Sequence, residues 1–257
     1  MIKFITRLLL VLIVLLAGAI YSMKANISDD RLDVDMDISQ PMATDGSSYL
    51  IFGGTRNSGL EVAKLLTARG DKVTAFVRPS SDRSQLEALD AAFVVGDATD
   101  AETVVAALNG GPYKAVISTL GCFRCDPPPD FIGNRNIVDA AAQAGVRRMV
   151  LITSIGAGNS YDAAPVISRF ALKKILPLKE QAEEHIMASG LDYTIIRPGG
   201  MRSGGPTGGG YLSEDPQAFG FIYRSDLAQL VVAAVDDDRT IGKTLAAADA
   251  NKLFIFQ

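Results

Sequence analysis

At 257 residues the chain is long enough for one sizeable core plus an appendage, and 48% apolar residues place it in the globular range. A net charge of −4 gives no reason to expect nucleic acid as a partner, and a single histidine, His185, excludes a multi-histidine metal site. Two cysteines, Cys122 and Cys125, are too few for a scaffold built on disulfides.

Residues 8–20, LLLVLIVLLAGAI, carry no charge, and with their flanks from Ile2 to Met23 they approach the roughly 20 residues that span a bilayer. Two readings compete. AGA resembles the small-residue cleavage site of a signal peptide, whereas the length of the apolar run, extended by Tyr21 and Met23, favours an uncleaved anchor. Residues 1–23 are therefore predicted as a transmembrane helix that tethers the protein to a membrane. Residues 24–47 are acidic, contain Pro41 and Gly46 and lack sustained periodicity, which predicts a linker with a strand-like piece around 32–38.

From residue 48 to 257, apolar strand runs alternate with amphipathic helix runs. The strands are predicted at 49–53, 72–78, 92–96, 114–119, 148–154 and 192–197, with a seventh at 244–249. Helices are predicted at 58–69, 82–90, 100–108, 131–144, 167–189 and 225–236. Several strands are continuously apolar, as in a parallel sheet covered on both faces. The expected fold class is α/β, a doubly wound parallel sheet. Residues 198–224 hold eight glycines and read as a mobile loop over the carboxyl edge of the sheet.

The stretch YLIFGGTRNSGLEVAKLL (49–66) has a strand, a glycine turn and a helix in order. In that context glycines let the backbone approach a pyrophosphate, and the helix presents free N–H groups and its positive dipole end. Arg56, inside the turn, offers a planar and permanently charged fork. About 20 residues further on, NAD sites place an acidic residue against the ribose hydroxyls. Here the second strand ends FVRPSSDR instead, with Arg78 in that place. An acid would repel a 2′-phosphate and arginine would bind it, so Arg56 and Arg78 together point to NADP(H).

These segments, with VVGDATD, AVISTLG, NIVDAAAQAGVRRMVLITSIGAG and KEQAEEHIMASGLDYTIIRPGG, occur in family order over about four-fifths of the chain. They resemble the atypical short-chain dehydrogenase/reductases, in the subgroup with flavin/biliverdin reductase-like and nitrogen-repression-regulator-like NAD(P)-binding proteins. The resemblance implies a Rossmann fold and an oxidoreductase. By position it implies that Gly53, Thr55, Arg56 and Gly59 line the pyrophosphate turn, Arg78 meets the adenosine phosphate, and Asp97 and Ala98 lie near the adenine. Ser118, Thr119 and Leu120 would border the nicotinamide ribose, and Pro198 and Gly199 would close over the nicotinamide. Ser154 matches the active-site Ser/Thr, and Lys179 the lysine that holds the ribose and lowers a proton donor's pKa.

Two positions depart from the pattern. Arg56 stands at the middle glycine of G-x-x-G-x-x-G. Four residues before Lys179, where the family has its proton-donating tyrosine, the chain has Ile175. Three substitutes are open: Tyr161 from a nearby loop, Ser154 or Ser118 as a weak donor or relay, or solvent acting on a substrate that delocalises charge.

Cys122 and Cys125, in STLGCFRCDPPPD, follow the fourth strand and face the nicotinamide edge. The pair reads as unspecialised, as a redox-sensitive disulfide, or as a substrate or metal contact. His185 reads as a helix-surface residue, and Asp236, Asp237 and Asp238 as a solvated helix terminus. The resulting expectation is a membrane-tethered, NADP(H)-dependent reductase or dehydrogenase acting on a small to medium apolar molecule, such as a sterol, quinone or other lipid-like ketone. The alternative is a non-catalytic NADP(H)-binding redox sensor or assembly factor. Lys3 and Arg7 before the apolar run favour an external domain by the positive-inside rule, whereas a cytosolic coenzyme favours the cytoplasmic face.

Overall fold

The computed structural model describes residues 25–32 and 46–251, together with Arg7, Leu10, Val11, Ile13 and Val14. Among the described residues no helix is long and apolar enough to cross a membrane. Apart from those five residues, the anchor expected over 1–23 lies outside the described residues.

The described residues form ten strands: β1 (Ser48–Phe52), β2 (Lys72–Val77), β3 (Ala92–Val95), β4 (Ala115–Ser118), β5 (Arg148–Ile152), β6 (Asp192–Pro198), β7 (Gly200–Arg202), β8 (Gly210–Ser213), β9 (Phe221–Tyr223) and β10 (Lys243–Asp249). The helices are α1 (Asn57–Ala68), α2 (Ser84–Glu87), α3 (Ala101–Leu108), α4 (Ile132–Ala144), α5 (Val166–Ala171), α6 (Leu176–Met187) and α7 (Arg224–Asp236). The main sheet has the order β3-β2-β1-β4-β5-β6-β10-β8, parallel except for β8, which pairs antiparallel with β10. The order reverses between β1 and β4, and such a switch point opens a crevice at the strands' carboxyl ends.

Strand alternation sends neighbouring side chains to opposite faces, and both faces are covered. Tyr49, Ile51, Ala75, Ile117 and Val150 pack with Leu60, Val62 and Leu66 of α1 and Leu227, Val231 and Val235 of α7. Leu50, Phe52, Val116, Met149 and Leu151 pack with Val104 of α3, Ile137 of α4 and Ile186 of α6. Two buried faces explain why the strands read as unbroken apolar runs.

The structure departs from the sequence expectations in three stretches. The helix expected over 167–189 is two, α5 and α6, because Pro177 at the start of α6 lacks an N–H and its ring clashes with the preceding turn. The glycine-rich stretch 198–224 is not simply a loop. It contains β7, β8 and β9, and Tyr211, Leu212, Ser213, Ala218, Phe219 and Phe221 are buried. Residues 25–32, within the stretch expected to be a linker, lie against this region. Asn26 bridges antiparallel to Phe219, Leu32 bridges to Leu212, and the Arg31 guanidinium sits 4.8 Å from the Tyr211 ring.

Asp236 is no solvated terminus. At the sheet's amino edge its carboxylate accepts from Arg69 Nη1 (2.5 Å) and the Tyr49 hydroxyl (3.0 Å) and pairs with Lys114 (3.0 Å). Burial opposes its ionisation, but the Lys114 and Arg69 partners outweigh it and hold the carboxyl below the usual aspartate value. A depressed folded pKa contributes stability above the unfolded value, which is lost as pH falls through the folded one. Asp236→Asn is therefore expected to cost about 2–4 kcal/mol at neutral pH. That cost should shrink below about pH 4 as the wild-type carboxyl protonates. Urea unfolding of both proteins across that range checks this, and a pH-independent difference would assign the cost to packing instead.

Candidate functional site

A cleft of about 660 Å³ opens along the carboxyl ends of β1 to β5. It is lined by the β1–α1 turn (Gly53, Thr55, Arg56, Asn57, Ser58, Gly59), by Phe76, Arg78 and Ser81 around the end of β2, and by Asp97, Ala98 and Thr99 after β3. Thr119 to Phe123 after β4 and Ile152, Thr153 and Ser154 at β5 continue the wall, with Ile175, Lys179, Met201 and Arg224 also facing it.

The turn is built on two glycines. Gly53 has φ +83°, and a Cβ on it would stand 2.6 Å from Thr119 Oγ1; one on Gly59 would stand 2.4 Å from the Gly53 carbonyl oxygen. Any side chain at either position would push the turn off β4. α1 starts with no side-chain cap, and the first N–H groups of a helix lack intrahelical acceptors. They face the cleft and suit an anion. Among the described residues no hydrogen bond or ion pair holds the side chains of Arg56 and Arg78, both exposed at this end. Arg224 Nε is buried without a hydrogen-bond partner, while its Nη1 lies 3.3 Å from Ser203 Oγ. This glycine cradle, these free amides and this buried, unsatisfied Nε–H of Arg224 fit a phosphate-rich ligand.

After β3, the Asp97 carboxylate accepts from the Thr99 backbone N–H (2.8 Å) and hydroxyl (2.7 Å). These bonds, with a smaller contribution from Arg78, hold it below the usual carboxylate range. At the other end, Lys179 in the first turn of α6 pairs with Asp130 at 3.1 Å. Asp130 is 1% exposed, and its other oxygen accepts from the Cys122 N–H at 3.0 Å. Ile175, one turn before Lys179, lines the same wall and is buried. The Ser154 hydroxyl donates to the Ile155 carbonyl at 2.9 Å. Thr153 beside it donates to Glu183 Oε1 (2.5 Å), and Glu183 holds Arg197 through two bonds of 3.0 and 2.7 Å.

The cleft brings together Gly53, Thr55, Arg56, Gly59, Arg78, Asp97, Ala98, Thr119, Leu120, Ser154 and Lys179. Four expected residues are not among its lining. Ser118 is fully buried, with its hydroxyl on Asn134 Oδ1 at 2.6 Å. Pro198 is buried and Gly199 half-buried at the end of β6, where a Cβ on Gly199 would meet the Gly220 carbonyl oxygen. Tyr161 lies on a 3-10 turn, half exposed under the Arg169 guanidinium. Arg224, Met201 and Asp130 were not expected. One signal for Arg224 was legible: a cation in the first turn of a helix opposes the dipole, so something else must favour it. Asp130 and Met201 gave no such signal, since each acts only through contacts distant in the chain. Cys122 and Cys125, whose state the sequence left open, form a disulfide with Cα atoms 5.4 Å apart.

The family described as NAD(P)H-binding matches residues 53–238, which contain every cleft-lining residue named above. The chain belongs to this family. The family's Rossmann fold and the resemblance to atypical short-chain dehydrogenase/reductases agree with the sheet order. One relative is "Uncharacterized sugar epimerase YhfK" of Bacillus subtilis (strain 168), 31% identical over 205 residues, covering 74% of this chain and 88% of the relative. Sanguinarine reductase of Eschscholzia californica is 26% identical over 240 residues, covering 76% of this chain and 86% of its own. The solved structure of ChuY, an anaerobillin reductase from Escherichia coli O157:H7, superimposes with a TM-score of 0.73 at 27% identity, covering 80% of this chain and 98% of that one. The family and the fold make the chain an NAD(P)H-binding Rossmann-fold protein, and two of these three relatives are named as reductases.

Proposed function

We propose that the protein is an NADP(H)-dependent reductase or dehydrogenase, tethered to a membrane through residues 1–23, that moves a hydride to or from a small to medium apolar substrate. The observation that carries the coenzyme preference is the pair of unpartnered guanidiniums, Arg56 and Arg78, at the end of the cleft where an NAD site would have a carboxylate. Gly53, Thr55, Gly59 and the first amides of α1 would hold the pyrophosphate, Arg56 and Arg78 the 2′-phosphate, and Ala98 the adenine face. Lys179, fixed by Asp130, would hold the nicotinamide ribose. When bound, the coenzyme supplies or accepts the hydride at nicotinamide C4.

Ile175 occupies the place of the family's tyrosine, so the proton comes from elsewhere. Ser154 is a hydroxyl that lines the cleft on that wall, with water as the other source; the neighbouring Thr153 hydroxyl is committed to Glu183, and Tyr161 is not among the cleft's lining. A substrate that delocalises the incoming charge, such as a conjugated ketone or ring system, demands least of a donor. Phe123, Ile175 and Met201 give the cleft apolar walls that suit it. The apolar run 8–20 supports the tether. α5 supports it further: Val166, Ile167 and Phe170 are exposed beside Lys173 and Lys174, a composition suited to an anionic lipid surface.

The alternative, a non-catalytic NADP(H) sensor or assembly factor, draws on Ile175. Titration with NADPH and NADH followed by an acceptor screen separates the two. Tighter binding of NADPH with oxidation by at least one conjugated or carbonyl acceptor is expected. Binding without turnover on any acceptor would favour the sensor.

A further inference from the structure

The loop after β4 is closed by the Cys122–Cys125 disulfide, and both cysteines line the cleft. The loop is tied to the catalytic end of the cleft through one buried carboxylate: Asp130 accepts from the Cys122 N–H and pairs with Lys179. The spacing between them is tight, since a Cβ on Gly121 would lie 3.0 Å from Asp130 Oδ1 and 3.3 Å from Lys179 Nζ. On its outer side the loop is open. Phe123 is 59% exposed, Arg124 is exposed, and both cysteines are partly exposed. A disulfide is therefore reachable from solvent while it braces the wall that carries Lys179. An adjacent cation such as Arg124 favours the thiolate that exchange releases.

We propose that Cys122–Cys125 is a thiol-exchange site whose redox state sets how tightly the cleft holds its dinucleotide. The partner is a low-molecular-weight thiol or a protein dithiol. Its thiolate attacks one cysteine sulfur, the Cys122–Cys125 bond breaks, and a mixed disulfide forms with the other cysteine leaving as thiolate. A second partner thiolate then displaces the remaining cysteine. Two partner thiols become one disulfide, two electrons pass to the protein, and the two cysteines end as thiols with the two protons the partner gave up. Opening the staple frees residues 121–126 and loosens the Cys122 hook on Asp130. Coenzyme binding must then order the wall, so the reduced form binds more weakly. The exchange site stands on the loop alone, whereas its effect on affinity rests on the NADP(H) reading.

The test uses the full chain, oxidised or reduced with dithiothreitol, and two readouts. Maleimide labelling without denaturant, read by intact mass, is expected to add two labels after reduction and none before. NADPH affinity is expected to fall about threefold or more on reduction, while Cys122→Ser/Cys125→Ser shows one affinity under both conditions. Labels that appear only after denaturation would make the pair a structural crosslink and overturn the exchange site. An NADPH affinity equal in both states would overturn the coupling. If neither state binds any nicotinamide coenzyme, the coenzyme reading has failed and takes the coupling with it, while the labelling still decides the exchange site.

Discussion

Arg78→Asp is expected to weaken NADPH binding about 100-fold, roughly 2.7 kcal/mol, while changing NADH binding by less than about threefold. Arg78 follows β2 directly, lines the cleft, and among the described residues makes no hydrogen bond or ion pair, only a longer-range attraction to Asp97. Its guanidinium is free to bond a phosphate, and charge-assisted bonds contribute about 1.5–3 kcal/mol each. The aspartate removes that gain and adds a second carboxylate near Asp97, which its Thr99 bonds keep ionised. Both changes act on the 2′-phosphate, the one group NADH lacks. Fluorescence or calorimetric titration with each coenzyme checks this. Equal losses for the two would mean that Arg78 is an exposed strand-end cation and that coenzyme choice lies elsewhere. For the wild type, NADPH affinity should also fall more steeply with salt than NADH affinity, because the arginines at this end are exposed and screened.

What the sequence made legible divides along the range of the interaction. The β1–α1 turn, Arg78 and the seven parallel strands were readable because each is encoded within a few residues: a glycine turn between apolar runs, a charge at a strand end, an unbroken apolar stretch. The small strands β7 to β9 were hidden because eight glycines masked short apolar pieces such as YLS and FIY. What makes them strands is pairing across many intervening residues: β7 pairs with β9, β8 pairs with β10, and residues 26 and 32 bridge to Phe219 and Leu212. That region is further pinned by Asp226, fully buried in α7, which accepts from the backbone N–H groups of Thr207 (2.9 Å) and Gly208 (3.0 Å). The helix break at Pro177 was a local signal that a continuous amphipathic pattern outweighed. The Asp130–Lys179 pair had no local signal at all, because 49 positions separate two residues whose meeting depends on the folded sheet.

Glu183→Ala is expected to be the most destabilising single substitution near the site, costing about 3–5 kcal/mol. Glu183 is 1% exposed, and its two oxygens hold Arg197, itself 5% exposed, as a bidentate fork. Removing the carboxylate leaves a guanidinium buried at the carboxyl end of the sheet, with Asn159 Oδ1 at 2.5 Å as its remaining side-chain partner. Desolvating an unpaired charge costs more than the pair contributes, so the double variant Glu183→Gln/Arg197→Met should recover most of the loss. Urea midpoints for the single and double variants give the comparison. A single variant that loses less than about 1 kcal/mol would place water around Arg197 and deny the pair its buried character. The double variant also reaches the site. Thr153 donates to Glu183 from the residue before Ser154, and both line the cleft, so the fork fixes the end of β5 at the cleft wall. Stability recovered without recovery of coenzyme affinity would show that the pair acts by aiming that strand end. Recovery of both would make it a packing device that shape alone can replace.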